Sequence, residues 1–398
     1  MILKRHRHNG KAQMIYGSSA WLIQKRLLLF IFVQMLKVSG NPVHAFKGIV
    51  RLRKLRRDAH GNKVISKFVK ANKRYYWVTD FPGFPTANLK YILQGEFERQ
   101  QNSSPEKHLL IPQQTLIWGI TNRCALRCSH CYDWDNIDTH EHLNSEQLHQ
   151  ILQKIEEHGI RHVQLSGGEP LARFDDLISI LNKAADKIDF WLLTSGFGLT
   201  AEKAKALKEA GLRGVNISLD HWDEEQHNLF RNNAKSYSEA CNAVKHCREA
   251  GILVSLSLCA TREFISEENL QKYARQARNM GANFIRILEP RAVGHFSNQN
   301  VQLRSLHIQL ISSFMKRMNS DPEYKEFPIV VFFGFHQRKL GCMGAGNRYM
   351  YIDANGEIHA CPFCRGSVGN VFSIPLNTAI AKLRDNGCQA FKMYSENT

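Results

Sequence analysis

Thr121-Asn122-Arg123-Cys124-Ala125-Leu126-Arg127-Cys128-Ser129-His130-Cys131-Tyr132 packs three cysteines into eight residues. A four-iron cube is held by thiolates and normally takes four of them. A C-x3-C-x2-C loop supplies three, at Cys124, Cys128 and Cys131. The fourth iron is then left without a protein ligand, so a small molecule with an amine and a carboxylate can chelate it, as an open catalytic metal site requires. Zinc is the rival reading, but zinc prefers ligand pairs that sum to four. With no companion pair near by, it would need His130 or a distant residue to complete a tetrahedron.

Outward from this loop the chain becomes regular. Short apolar strands near 115–121, 162–166, 189–195, 214–220, 253–260 and 284–289 alternate with helical stretches near 145–158, 175–187, 201–210, 237–250 and 266–280. That order implies parallel strands joined by right-handed crossovers. Six strands suit a partial barrel better than a closed eight-stranded one. Each polar motif follows a strand: the cysteine loop the first, Ser166-Gly167-Gly168-Glu169-Pro170 the second, Thr194-Ser195-Gly196 the third, and Ser218-Leu219-Asp220 the end of the fourth. In parallel α/β folds ligands sit at the carboxyl ends of strands, so the motifs share one rim.

The cysteine loop with Tyr132 behind it, paired with Gly167-Gly168-Glu169-Pro170, resembles the radical SAM superfamily over roughly residues 113 to 290. The resemblance implies a partial (β/α)6 TIM-like barrel, a 4Fe-4S cluster with an open iron, and S-adenosylmethionine (SAM) as the chelating molecule. It implies reductive cleavage of SAM to a 5′-deoxyadenosyl radical that takes hydrogen from a substrate, fed by a reductant protein of flavodoxin or ferredoxin type. Gly167 and Gly168 would let the backbone come close to SAM, and Glu169 would help to hold its amino group. Ser195 sits where the family often contacts ribose, and Ser218 and Arg231 where a carboxylate clamp is often found; an arginine fork suits that work. Asp220 is a further candidate contact. His130 occupies a slot that is usually aromatic and near adenine, although a neutral histidine can also bridge backbone groups. No catalytic acid or base is named by the pattern.

A second cysteine group lies near the carboxyl end, with Cys342 followed by Cys361 and Cys364. Asn355-Gly356 between them reads as a type I′ hairpin turn that brings these cysteines together, with Cys388 as a fourth ligand. The segment resembles the SPASM auxiliary-cluster domain or its shorter Twitch form. The later dense cysteine run of a full SPASM domain is missing, which favours one auxiliary 4Fe-4S cluster. Four cysteines in two groups equally suit a zinc ribbon. Cys241, Cys247 and Cys259 read as core residues.

The chain has 398 residues and a formal charge of +17. Residues 1–75 hold eighteen Lys or Arg against one acid, and the remainder balances at 35 of each sign. The excess therefore belongs to an N-terminal arm, read as a solvated tail or as the contact for an anionic partner. Leu27–Leu36 is strongly apolar but about half the length of a membrane span, so no transmembrane segment is expected. It reads as an interfacial segment, as the apolar part of a signal peptide ahead of Pro42-Val43-His44-Ala45, or as sequence upstream of a true initiator at Met14 or Met35. Oxygen-labile clusters and cysteines grouped for metal rather than disulfides favour a reducing cytoplasm.

The expected divisions are a basic extension over 1–62, a hairpin, helix and linker over 63–112, the barrel over 113–325, and the auxiliary domain over 326–398. The resemblance implies maturation of a peptide or protein, with small-molecule cofactor biosynthesis of the molybdenum cofactor or haem type as the alternative.

Overall fold

The computed structural model describes residues 12–60, 67–101 and 115–388. The amino-terminal part is folded rather than a solvated tail. Strand β1 (Gln13–Tyr16) leads into helix α1 (Gly17–Ser39) and then α2 (Pro42–His60); β2 (Lys67–Ala71) and β3 (Arg74–Tyr76) follow, then α3 (Ala87–Gln101). The expected hairpin is present where it is described. Asn72 and Lys73 both take positive φ between β2 and β3, and β1 adds to β2 as a third antiparallel strand. Residues 63–66 and most of the expected linker lie outside the described residues.

The apolar run proves to be the middle of a longer element. Helix α1 has 23 residues and is long and apolar enough to cross a membrane by length and composition. It is also amphipathic in use. Met35 packs with Ala45 and Ile49 of α2 and Phe97 of α3, and Ala20 and Ile23 pack with Phe68 and Leu89. This apolar packing explains why a basic segment folds onto the enzyme.

Strands β4 (Thr115–Gly119), β5 (His162–Ser166), β6 (Asp189–Thr194), β7 (Gly214–Ser218), β8 (Leu253–Cys259) and β9 (Phe284–Leu288) pair in sequence, all parallel. These are the six expected strands. A seventh, β10 (Ile329–Phe332), pairs parallel to β9. A division at 325/326 therefore falls ahead of a strand that continues the barrel sheet. On the other edge β11 (Tyr349–Ile352) runs parallel to β4, and β12 (Glu357–His359) and β13 (Ser367–Asn370) extend the sheet antiparallel. The sheet runs from β10 to β13 without closing on itself.

The crossover helices are α4 (Ser145–Glu157), α5 (Phe174–Ala184), α6 (Ala201–Glu209), α7 (Glu224–Arg231), α8 (Ser236–Glu249) and α9 (Glu267–Met280). Their starts are set by side chains that take an orphan N–H. Asn144 and Gln147 form a capping box at α4, and Thr200, Asp223 and Ser266 cap α6, α7 and α9. Helix α10 (Ser305–Ser320) precedes β10; α11 (Phe333–Leu340) and α12 (Leu376–Asn386) lie in the carboxyl part.

The hairpin closes the barrel floor. Val69, Ala71 and Tyr76 bury against Trp191, Leu253, Phe284 and Ile329 near the amino ends of β6, β8, β9 and β10. Side chains the size of Val69, Leu253, Phe284 and Ile329 each contribute about 1.5–3 kcal/mol when fully buried. Lys67 is carried into the interior with it, and its Nζ donates to the carbonyl of Phe327 at 3.0 Å. Beyond the hairpin Asp80 reaches the lumen, where Gln164 Nε2 donates to its Oδ1 at 2.7 Å.

Candidate active site on the carboxyl rim

The cysteine loop leaves β4 and is pinned on both sides. Cys124 N donates to Asp138 Oδ1 at 3.0 Å, and Ser129 N to the carbonyl of Phe230 at 2.9 Å. His295 N donates to the carbonyl of Cys131 at 2.9 Å, and Trp134 stacks on the His295 ring with centroids 3.9 Å apart. Cys124, Cys128 and Cys131 line one cavity of about 660 Å³, together with His130, Gly167, Gly168, Ser195, Ser218 and Arg231. The rim read from sequence is thus brought together in one place.

The two glycines have a reason beyond ligand approach. Gly168 N donates to the carbonyl of Thr121 at 2.8 Å and Glu169 N to that of Arg123 at 2.7 Å, so the motif lies directly on the cysteine loop. A Cβ on Gly167 would stand 2.4 Å from Thr121 O, and one on Gly168 2.5 Å from Arg123 O. Gly167 also holds φ at +137°, where side chains are strained. Gly168→Ala is expected to fold yet to hold its cluster poorly, since the cysteine loop must move. Iron per chain after anaerobic reconstitution should fall by at least half; full retention would refute the coupling.

Glu169 is placed differently from the sequence expectation. Its Oε1 accepts from Leu171 N at 3.2 Å and Thr194 Oγ1 at 2.6 Å, and its Oε2 from Ser195 N at 2.8 Å and Ser195 Oγ at 2.5 Å. Four donors fill the four lone-pair sites of a carboxylate. Glu169 and Ser195 are therefore partners of each other, tying the end of β5 to that of β6. Burial pushes the Glu169 carboxyl up, against the pull of these hydrogen bonds.

Arg231 comes from α7, the crossover helix absent from the sequence reading. Its Nε donates to Asp220 Oδ2 at 2.6 Å, and its Nη1 lies 3.5 Å from Cys128 Sγ. Asp220 in turn accepts from Cys259 N through Oδ1 at 2.9 Å. This buried chain leads from the strand ends to a cluster cysteine. Phe230, beside Arg231, was missed in the sequence; it stacks on His130 with centroids 4.7 Å apart and planes at 8°. Burial pulls His130 down to about 4, so the ring is neutral, and its Nδ1 has no partner among the described residues.

The donor set fits an iron–sulfur cube. Burial pushes the Cys124 and Cys131 thiols up to about 12, so they become ligands by giving up protons to a metal. The loop brings three thiols and no fourth cysteine of its own. A zinc ion at this loop lacks its tetrahedral set, whereas a cube spreads its irons.

The second cysteine group also assembles. Cys361 and Cys364 Sγ lie 3.4 Å apart, as do those of Cys364 and Cys388, and Cys342 hydrogen-bonds Cys388. Of the turn between β11 and β12, Gly356 alone has positive φ, so Asn355-Gly356 is not type I′. Asp353 Oδ1 instead accepts from Asn355 N and Glu357 N, both at 2.9 Å, which builds a longer, side-chain-braced turn. This carboxyl segment touches the cysteine loop: Arg365 Nη1 donates to Asp133 Oδ1 at 3.3 Å, and Phe363 meets the Tyr132 ring edge-on at 6.0 Å.

An open parallel barrel whose rim presents three cysteines and a glycine pair defines an iron–sulfur enzyme with an exchangeable iron site. Residues 118–287 match the family model described as the Radical SAM superfamily, so this part of the chain is a radical SAM domain. Domains of this family use a 4Fe-4S cluster and SAM.

The chain is 33% identical over 154 residues to the pre-heme d1 synthase of Dinoroseobacter shibae, 38% of each chain. It is 26% identical over 278 residues to the mycofactocin maturase MftC of Mycolicibacterium smegmatis, 65% of this chain and 67% of MftC. Its fold is similar to that of Streptococcus suis SuiB bound to precursor peptide SuiA, with a TM-score of 0.57 and 14% identity over 92% of this chain and 82% of SuiB.

Proposed function

We propose that the enzyme matures a peptide or protein by radical modification of a side chain. The observation that carries this reading is the extent of the fold likeness. SuiB, crystallised with its precursor peptide, matches 92% of this chain, and so extends beyond the barrel into the amino- and carboxyl-terminal parts. MftC, a maturase, supports it over 65% of the chain. The likeness to pre-heme d1 synthase, and to the GTP 3',8-cyclase of Aquifex aeolicus at 29% identity over 63% of this chain, supports a small-molecule substrate as the second reading.

When bound, the cluster and SAM supply reductive cleavage of SAM to a 5′-deoxyadenosyl radical that takes hydrogen from the substrate. Cys124, Cys128 and Cys131 would hold that cluster, and the rim around Gly167, Gly168, Ser218 and Arg231 would hold SAM. His130 and Phe230 offer a stacked, neutral surface for a flat ring. The floor formed by Val69 and Tyr76 and the carboxyl segment at Phe363 shield the lumen from water, which protects a reactive species. Cys342, Cys361, Cys364 and Cys388 would hold one auxiliary cluster, and a flavodoxin- or ferredoxin-type protein in the same reducing compartment would deliver electrons.

Anaerobically reconstituted chain should hold roughly eight irons, two cubes' worth. Four irons with bound zinc would refute the auxiliary cluster alone. Mass spectrometry of the host's peptides and proteins with and without the gene should show a modified side chain. Restoration of product by a purified small-molecule extract, with no changed peptide, would overturn the maturase reading.

A further inference from the structure

The barrel lumen is layered. Its floor is the apolar set around Trp191, Phe284 and Ile329, and its rim carries Ser166, Ser218 and the cysteine loop. Between the two, Gln164, Asn216 and Arg286 line the cavity. Gln164 and Asn216 each stand two residues before Ser166 and Ser218 in the same strands, so this layer lies roughly 7 Å below the rim.

Polar satisfaction fails in this middle layer. Asn216 is 2% exposed, and among the described residues neither its Oδ1 nor its Nδ2 has a partner. The Arg286 side chain is 11% exposed. Its Nη1 donates to Gln164 Oε1 at 3.3 Å, its Nε has no partner among the described residues, and its Nη2 stands 3.9 Å from Asp80 Oδ1, too far for a hydrogen bond. That carboxylate oxygen already accepts from Gln164 at 2.7 Å. The guanidinium lies 4.9 Å from the Phe333 ring, which orients it without neutralising it. Buried arginines elsewhere in the chain are better served, as Arg231 with Asp220 and Arg338 with both oxygens of Glu289. A buried cation and a buried amide left unbonded are costly, and such groups persist where a ligand completes them.

We propose that Arg286 and Asn216 form the recognition site for a carboxylate of the substrate. The guanidinium supplies charge and an N–H group that is not committed to protein, and the Asn216 amide offers a further donor in the same cavity. Anchored there, the substrate points its reacting carbon up toward the rim, a few bonds away. The inference rests on the reading of the barrel as substrate chamber and adds the chemical class that chamber selects. A side-chain carboxylate and a chain-terminal one share this chemistry.

The test is saturation-transfer NMR on the anaerobically reconstituted full chain with four probes: N-acetylglutamic acid α-amide, N-acetylglutamine, neutral N-acetylglutaminamide and inorganic phosphate. One or both carboxylates should bind at least ten-fold more tightly than the neutral amide, and which one binds identifies the source. Arg286→Gln should erase that preference. It should leave the melting temperature unchanged or higher, since it removes a poorly paired buried charge. Equal binding of the neutral probe, preference for phosphate, an unaltered preference in Arg286→Gln, or a melting temperature lowered by several degrees would each overturn the proposal. Iron content and 5′-deoxyadenosine release by the parent chain report separately on the radical chemistry.

Discussion

Cys128→Ala is expected to release no 5′-deoxyadenosine above background when supplied with SAM and reductant, and to lose roughly four irons per chain, one cube's worth. The loop offers three thiols, so removing one leaves two ligands for four irons. Cys128 is the most enclosed of the three at 8% exposed, which keeps solvent or a free thiol from replacing it. It is also the one whose sulfur lies 3.5 Å from Arg231 Nη1, so its loss leaves that guanidinium facing a gap. Cys247→Ala is the matched control. That thiol is buried among apolar side chains of α8 and should cost packing energy while leaving iron and SAM cleavage intact. A Cys128→Ala chain that cleaved SAM at the parent's rate would refute the assignment of the cluster.

The architecture was legible because its signals are local. Apolar runs of strand length mark the parallel strands, the polar or glycine motifs after the first four of them mark the rim, and six of the seven barrel strands follow from those runs. Strand β10 was missed since Ile329-Val330-Val331-Phe332 is only four residues long and continues directly into α11. Helix α7 was missed because its eight residues are mostly polar and only His227 and Arg231 are buried. The basic arm misled for a different reason. Charge per residue describes its outer surface, whereas its fold is decided by the inner stripe of α1, where Ile23 and Met35 meet the hairpin and α3.

Contacts across the rim were not legible at all. Glu169 reads from sequence as a ligand for SAM's amino group, and its four protein donors come from residues 171, 194 and 195. Which of two nearby polar groups faces a ligand and which supports the other is set by the lateral order of β5 and β6, and pattern spacing along one chain does not encode it. The lumen layer of Gln164, Asn216 and Arg286 escaped notice likewise, because each is a lone polar residue in an apolar strand.

Asp220→Ala should be among the most destabilising single changes in the barrel, by about 3–5 kcal/mol, because it leaves a buried guanidinium without its counter-ion. The Asp220 and Arg231 side chains are 3% and 8% exposed, with Arg231 Nη2 also 2.6 Å from Asp220 Oδ2. The change further strips Cys259 N of its acceptor. Burial pushes the Asp220 carboxyl up, but Arg231, with His130 and His227, more than offsets this and holds it below the ordinary carboxylate value. A depressed value in the folded state means that the pair's stabilisation is complete at neutral pH and is lost only as pH falls through that range. Urea unfolding of the metal-free chain at neutral pH should show the loss. Adding Arg231→Met should recover much of it, since deleting both charges removes the unpaired cation. Loss of the exposed Lys272–Glu268 pair on α9 should leave the unfolding midpoint nearly unchanged. If Asp220→Ala matched that surface variant, the Asp220–Arg231 pair would not be the brace that holds Arg231 against Cys128.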